Sequence, residues 1–248
     1  MGELQPKDVL EVGLKALFGP VHEIFIKLTG PAAESYGLMW SESIDLRRQK
    51  RLIKGLVEVK KMVDEADFDP QMVPDKLLLP IFEGMSLEDD EDLYTMWAAL
   101  LANAANPANN EKVRPGFVAM LKQMSAEEAK LLGWMYDTLF LEFVVQTSTQ
   151  AFLINPKVPN AYNNLTSGLS EALDQSLPVT SAKLVDVYKQ ITAGRGNKKE
   201  CYVSIDGLLS AQVIAKHQNE EKNMETDFYV TARGLAFVEA CRTPKPKS

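Results

Sequence analysis

Apolar residues recur at helical spacing from the first residues of the chain. Between residues 8 and 28 they fall on one face of an amphipathic pattern, while charged residues lie largely off it. Gly19-Pro20 is expected to break or kink this helix, because proline lacks an amide donor and crowds the preceding turn. The predicted apolar face comprises Leu10, Leu14, Leu17, Phe18, Val21, Phe25 and Leu28.

A second helical pattern follows the break at Thr29-Gly30-Pro31 and runs to about Ala66 without an internal proline. Basic residues between Arg47 and Lys61 decorate it, interleaved with acidic ones. The pattern predicts one long helix that is packed along one side and solvated on the other. Its apolar seam is predicted at Met39, Leu46, Ile53, Leu56 and Val63.

The clearest helix prediction in the chain begins near an acidic run. Ser86-Leu-Glu-Asp89 matches a capping box, and the acids that follow it lie in the first turn, where the helix dipole favours negative charge. Asn106-Pro107 ends the pattern. We expect its apolar stripe to form the buried spine of a helical body. The stripe comprises Leu93, Met96, Trp97, Leu100, Leu101 and Ala104.

Other helices are predicted on both sides of this one, and Ser125-Ala-Glu-Glu128 forms a second capping box. Residues 141–180 mix β-branched and aromatic residues with Asn, Pro and Thr, and no element is predicted there. A basic loop is predicted over residues 194–199. The additional helices are predicted over Asp75–Met85, Pro115–Met124, Ala126–Phe140 and Ser181–Ala193.

The end of the chain predicts a helix, a hairpin and a second helix. The first helix is predicted over Ser204–Ala211, the strands over Val213–His217 and Asp227–Thr231, and the closing helix over Ala232–Arg242. This order is typical of a winged helix. The predicted fold is therefore mainly α, with an N-terminal helical bundle over residues 1–124. A winged-helix-like α+β region with a small β-hairpin follows over residues 125–248, with an unplaced insert around 141–180.

Composition and charge narrow the classes of protein that fit this pattern. The chain is 46% hydrophobic with a net charge of −7, which disfavours a general nucleic-acid binder because such proteins must neutralise phosphates. Cys201 and Cys241 are too few and too far apart for a disulfide framework. With neither a signal-peptide pattern nor an apolar run of about eighteen residues, a cytoplasmic location is expected. Membrane association on activation stays open, through the apolar face of the N-terminal helix.

No residue pattern in the chain predicts catalysis, a metal ion or a cofactor. The chain has no nucleophile elbow, P-loop, dinucleotide fingerprint or zinc-protease motif. Its two histidines, His22 and His217, lie on different elements and outside any ligand spacing. The acids Glu88–Asp92 are consecutive at a helix start, so they are expected to spread around its axis instead of surrounding a cation. We therefore expect a protein that is not an enzyme and has no small-molecule substrate.

The winged-helix-like tail offers a DNA-binding interpretation, but its charges favour a protein partner or self-association. Asp206 is the only charge on the predicted recognition helix. The predicted wing tip carries Glu220, Glu221 and Glu225 against Lys222, which would repel phosphates. Nucleic acid is therefore the less favoured partner, and an enzyme built on residues 141–200 is the remaining alternative.

Part of the sequence resembles the Abi-alpha (abortive infection alpha) family. The resemblance is carried by Val73-Pro-Asp-Lys-Leu-Leu-Leu-Pro-Ile-Phe-Glu-Gly-Met-Ser-Leu-Glu-Asp-Asp-Glu-Asp-Leu93, continuing through Met96-Trp97-Ala-Ala-Leu-Leu-Ala-Asn103. Flanking blocks at Gly30-Pro-Ala-Ala-Glu34 with Gly37, at Ser125–Leu131 and at Thr231–Cys241 are similar to those of the same family.

The resemblance implies a role in defence against bacteriophage, and it brings no catalytic residues to carry over. The implied function is abortive infection through partner binding or a conformational trigger. The alternatives are a winged-helix DNA-binding regulator and a membrane-active effector that uses the N-terminal amphipathic face.

Overall fold

The computed structural model describes residues 18–43, 45–138, 179–218 and 226–245. These residues form two compact units. Unit 1 comprises the chain up to Gln123 together with the residues from Glu239 onward, and unit 2 runs from Met124 to Val238. The described residues are mostly helical with one small antiparallel sheet, which confirms the predicted fold class. Of the region predicted over residues 125–248, the described residues from Glu239 onward therefore belong to unit 1.

Unit 1 is built from six helices within the described residues, with short 3-10 turns at Gly19–Val21, Gly30–Ala32 and Asn110–Lys112. The three longest helices pack against one another and enclose the core. The helices are α1 (His22–Thr29), α2 (Ala33–Ser43), α3 (Leu46–Ala66), α4 (Asp75–Leu87), α5 (Glu91–Ala105) and α6 (Pro115–Gln123).

The single long helix predicted up to Ala66 is wrong, because the chain forms two helices there. Asp45 begins α3 as its N-cap, and its side chain accepts a hydrogen bond of 3.0 Å from the Arg48 amide. A good cap residue satisfies the free amides of a new first turn, so the helix restarts without a proline to mark the break. The predicted seam is also wrong in its first half, since Met39 is 40% and Leu46 66% exposed. The buried stripe of α3 comprises Leu52, Gly55, Leu56, Val59, Met62, Val63 and Ala66.

The capping box predicted at Ser86 is wrong as well. Helix α4 continues through Leu87, and inside it the Ser86 hydroxyl donates to the Glu83 carbonyl at 2.8 Å. The N-cap of α5 is Asp90, whose side chain accepts from the amides of Asp92 (3.0 Å) and Leu93 (3.1 Å). Any one of several successive acids could be the N-cap of α5. Because α4 continues through Leu87, the N-cap is the later residue Asp90.

The second predicted capping box, at Ser125, is confirmed. The Ser125 hydroxyl accepts from the Glu128 amide at 3.2 Å, and the Glu128 carboxylate accepts from the Ser125 amide at 2.7 Å. It begins the helical residues 126–138, which we call α7.

Unit 2 combines helices with the sheet. After α7 the described chain continues as β1 (Val179–Thr180), α8 (Ser181–Ile191), α9 (Lys198–Ser210), β2 (Ile214–Gln218) and β3 (Thr226–Val230); α10 (Ala232–Ala240) begins in this unit. The sheet order is β1-β3-β2, with both pairs antiparallel, and Val179 faces Phe228 while Ile214 faces Val230. This arrangement is consistent with the winged-helix expectation.

The sequence prediction missed β1 and placed the start of α9 too late. Helix α9 begins at Lys198, six positions before the predicted Ser204, inside the segment predicted as a basic loop. The reason is a capping box in which the Asn197 side chain accepts from the Glu200 amide and Glu200 accepts from the Asn197 amide. Strand β1 was missed because two residues carry no periodicity.

Some of the sequence predictions fall outside the described residues. They concern Leu10, Leu14 and Leu17 of the N-terminal face, all but the end of the 141–180 insert, and the acids of the predicted wing tip.

A glycine sets how closely α4 approaches α5 in the core of unit 1. A Cβ added at Gly84 would lie 2.5 to 2.8 Å from three atoms of the Trp97 indole. Trp97 is 1% exposed, so the rigid ring has no free space into which it could move. Only glycine permits this contact without displacing one of the two helices.

We predict that Gly84→Ala destabilises unit 1 by about 1–3 kcal/mol, because it overpacks the contact with Trp97. Gly133→Ala is the matched control: Gly133 lies within α7, and an added Cβ would meet nothing within 4 Å. The control should be neutral or stabilising by about 0.4–1 kcal/mol, through the lower entropy of its unfolded chain. Urea unfolding followed by circular dichroism measures both, and equal midpoints for the two variants would contradict the prediction.

Candidate functional site

The described part of the predicted N-terminal face is buried inside unit 1. Phe18, Val21 and Phe25 are each almost fully buried, as is Leu28. The Phe18 and Phe25 rings stack with centroids 3.9 Å apart, and Phe25 in turn stacks on Phe82 at 6.2 Å. In this structure the face therefore contacts the protein's own core. None of the described helices has the length and apolarity needed to cross a membrane.

The apolar stripe of α5 lies in the core of unit 1. Leu93, Trp97, Leu100 and Leu101 are buried, while Met96 is half-buried at the edge of the stripe. The indole N–H of Trp97 is buried and has no hydrogen-bond acceptor among the described residues. Close packing of the ring against Gly84 thus takes precedence over hydrogen bonding of its polar atom.

The acidic run that begins α5 is paired with basic side chains of α3. Asp89 forms ion pairs with Arg51 and, at 3.4 Å, with Arg47. Lys54 lies 2.7 Å from the Glu91 carboxylate. Most of these groups are more than half exposed, so each pair contributes at most about 1 kcal/mol, and its main effect is to align the two helices. Across the described ranges, no group of three or more histidine, cysteine or acidic side chains could hold a metal ion.

Tyr94 joins α5 to the same region of α3, a role that its sequence position does not reveal. Its hydroxyl donates to the Arg51 carbonyl, and Lys54 lies over its ring at 4.7 Å from the centroid. Burial raises the pKa of Tyr94, so the hydroxyl stays protonated and remains a donor. A Cβ at Gly55 would overlap the Met85 sulfur and lie 3.2 Å from the Tyr94 hydroxyl, so this glycine leaves room for both side chains against α3.

A buried amide, Asn103, holds the end of the chain within unit 1. Its Nδ2 donates to the carbonyls of Ala99 (3.1 Å), Ala240 (3.1 Å) and Arg242 (2.7 Å). Its Oδ1 accepts from the Asn109 side chain at 3.1 Å. Asn103 is the last residue of the central segment that resembles the Abi-alpha family. Its buried amide is hydrogen-bonded on both polar atoms, which gives this position a structural role.

Helix α9 presents the most conspicuous exposed face of unit 2. Val203 is 64% and Tyr202 36% exposed, and Lys199 and Asp206 lie within one turn of Val203 on the same helix. The ammonium of Lys198 lies 5.8 Å from the centroid of the Tyr202 ring. The helix predicted from the sequence begins at Ser204, so it does not include Lys198, Lys199, Tyr202 or Val203.

The groups that most often carry catalysis are buried or isolated within the described residues. Cys201 and Cys241 are free and buried, and burial raises the pKa of both thiols, which disfavours the reactive thiolate. His22 is half-buried, and its Nε2 has no hydrogen-bond partner in the part of the chain that the structure describes. His217 lies on β2 opposite Asp227 of β3.

These observations define a class of protein: a mainly helical chain of two units, the second with a three-stranded antiparallel sheet. The sequence profile of the abortive infection alpha family matches residues 44–241. The chain therefore belongs to the abortive infection alpha family, which confirms the resemblance noted in its sequence. The family's name points to abortive infection, a form of defence against bacteriophage. No curated protein and no solved structure matches the chain.

We predict that Asp90→Ala destabilises unit 1 by about 1 kcal/mol, because two amides at the start of α5 lose their cap. Asp90→Asn, which keeps a side-chain oxygen in place, should be close to neutral. Urea unfolding midpoints with and without millimolar Ca²⁺ test this interpretation, and Ca²⁺ should shift none of them. A rise in the wild-type midpoint on adding Ca²⁺, lost in both variants, would indicate a cation site instead.

Proposed function

We propose that this protein is a phage-defence protein that acts in abortive infection through partner binding or a conformational trigger, without conventional catalysis. The observation that carries the proposal is the family match over residues 44–241, which extends across both units. A role in binding draws further support from the exposed face of α9.

The exposed face of α9 has the chemistry of a protein-binding surface. Val203 is a large apolar side chain with most of its area in solvent, and Tyr202 adds an aromatic ring with a polar tip. Aromatic residues are enriched in protein interfaces, and apolar area removed from water there is favourable. Lys199 and Asp206 border the apolar residues and would contribute the polar rim.

The alternative of a membrane-active effector requires a trigger with a large energy source. Releasing the N-terminal face would expose Phe18, Val21, Phe25 and Leu28, which are buried in unit 1. At about 1.5–3 kcal/mol for each side chain, the cost is about 6–12 kcal/mol. That is comparable to the whole stability of a typical domain, about 5–15 kcal/mol. A spontaneous release is therefore disfavoured, and binding is the favoured mechanism.

We predict that cells producing the protein reduce plating of at least one phage in a diverse panel. Val203→Asp should abolish this protection, because a charge would be desolvated in the interface. Val57→Asp is the matched control, since Val57 is 43% exposed on α3, a helix of unit 1. Plating efficiency is scored with host survival when phage outnumber cells, and the protected culture should lose viable cells.

The outcomes separate the parts of the proposal. Protection with full survival of infected cells would contradict abortive infection. Protection that persists in Val203→Asp, at equal protein levels, would contradict a role for α9. Loss of protection in Val57→Asp as well would point to a general effect of the added charge.

The second candidate is a nucleic-acid-binding protein, which the exposed cations of the described residues from 179 to 238 favour. In the described residues from 179 to 238, the acids are Asp186, Glu200, Asp206 and Asp227, and the last of these is buried. These residues carry more exposed cations than acids, and such cations can contact phosphates, although α7 of the same unit adds Glu127, Glu128 and Asp137 against Lys130. The exposed cations of the same residues are Lys183, Lys189, Arg195, Lys198, Lys199, Lys216 and Arg233.

Gel-shift titration of random duplex DNA at moderate salt tests this candidate. If it is right, the wild type shifts DNA at micromolar protein, and Lys198→Glu with Lys199→Glu weakens binding at least about tenfold. The control variant, Lys61→Glu with Lys76→Glu, carries the same change of charge on exposed positions of unit 1 and should bind like the wild type. A wild type that does not shift DNA, or equal weakening in both variants, would exclude specific use of α9.

A further inference from the structure

Unit 1 contains a pocket of about 340 Å³ between α2, the start of α3 and α4. This volume lies at the lower end of the range for small-molecule sites, which are concave, mostly apolar and have few polar groups. Its apolar wall is formed by Met39, Trp40, Leu79 and Pro80. None of the features described so far uses this pocket.

The apolar wall contains one side chain that is held in place, Trp40, and one that is flexible, Met39. The Trp40 ring is buried and packs edge-on against Phe82, with centroids 4.6 Å apart, so its position is held by the core. Met39 is 40% exposed, and its flexible thioether side chain can adapt to different apolar ligands. A wall of this kind suits an apolar body of variable shape.

The polar side of the pocket carries a guanidinium that is held in place by a serine. Nε and Nη2 of Arg48 donate to the Ser86 hydroxyl at 3.2 and 3.0 Å. The same hydroxyl donates to the Glu83 carbonyl at 2.8 Å, which fixes the serine rotamer. The guanidinium has five N–H groups, and the two hydrogen bonds to Ser86 use donors on Nε and Nη2.

Arg48 differs from its neighbours on α3 in its charge pairing. Arg47 and Arg51 pair with Asp89, and Lys54 pairs with Glu91. Among the residues that the structure describes, no carboxylate oxygen forms an ion pair with the Arg48 guanidinium. Its positive charge helps to lower the pKa of the Asp45 and Glu83 carboxyls, but within the described residues neither carboxylate forms a direct ion pair with the guanidinium.

Among the described residues that line the pocket, the acid is Glu83, and it is already paired. Its carboxylate lies 2.5 Å from the Lys122 ammonium, and this contact lowers the pKa of Glu83, with a smaller contribution from the Arg48 charge. The charges of Glu83 and Lys122 largely offset each other, so the positive charge that remains at the pocket is that of Arg48. A ligand with its own negative group is favoured at that end.

We propose that this pocket binds a small amphipathic anion. Its apolar body packs on the wall formed with Trp40 and Met39, and its anionic group binds the guanidinium of Arg48. A ligand placed there contacts α2, α3 and α4 at the same time. The inference is independent of the proposed function, which assigns no small-molecule ligand.

Isothermal titration calorimetry on the full chain tests the proposal with octanoate as the anionic probe and 1-octanol as its neutral counterpart. The wild type should bind octanoate with a Kd of about 1 mM or below, and octanol at least about tenfold more weakly. Arg48→Gln should lower the affinity for octanoate about tenfold or more and remove the preference for the charged probe. Arg47→Gln is the matched control: it removes the neighbouring charge outside the pocket and should bind like the wild type.

A second variant keeps the test meaningful if Arg48→Gln proves unstable. Met39→Trp places a larger side chain at an exposed position of the wall and should abolish binding of both probes while circular dichroism shows a folded protein. Three results would overturn the proposal: no octanoate binding by the wild type, equal affinity for the two probes, or unchanged octanoate affinity in folded Arg48→Gln. Binding that survives in folded Met39→Trp would also overturn it, because the ligand would then lie elsewhere.

Discussion

The core of unit 1 depends on the close approach of α4 to α5 where Gly84 meets the Trp97 ring. With no Cβ between them, the indole fills the space that a side chain would take, and the stripe along α5 is buried except for Met96 at its edge. The ring leaves its own N–H without an acceptor among the described residues. Shape therefore dominates this contact, and the position of both helices follows from it.

Charge pairs then align α3 with the start of α5. The acids after α4 meet Arg47, Arg51 and Lys54 across the helices, and Tyr94 adds a hydrogen bond to the Arg51 carbonyl. Because these pairs are mostly exposed, they add little stability, and their main effect is to fix the orientation of α3 relative to α5. Arg48 of α3 bonds to Ser86 and lies at the pocket, where we propose that it binds an anionic ligand.

The two units divide the functional possibilities between them. Unit 1 buries the described part of the amphipathic N-terminal face, so an effector role for that face has a high energetic barrier. Unit 2 leaves apolar and basic side chains exposed on α9. Membership of the abortive infection alpha family joins these features in a defence protein, and the mechanism proposed is recognition of a partner by the exposed helix.

The amino-acid pattern alone determined the mainly helical class, the family, the spine of α5 and the cap at Ser125, because each depends on residues close together in sequence. Tertiary structure decided the rest. Whether Ser86 or Asp90 capped α5 depended on where α4 ended, and the break before α3 depended on Asp45 competing with continued helix. Gly84, Asn103 and Arg48 have clear roles only because distant segments meet them, and a period along one helix contains no information about what packs against it.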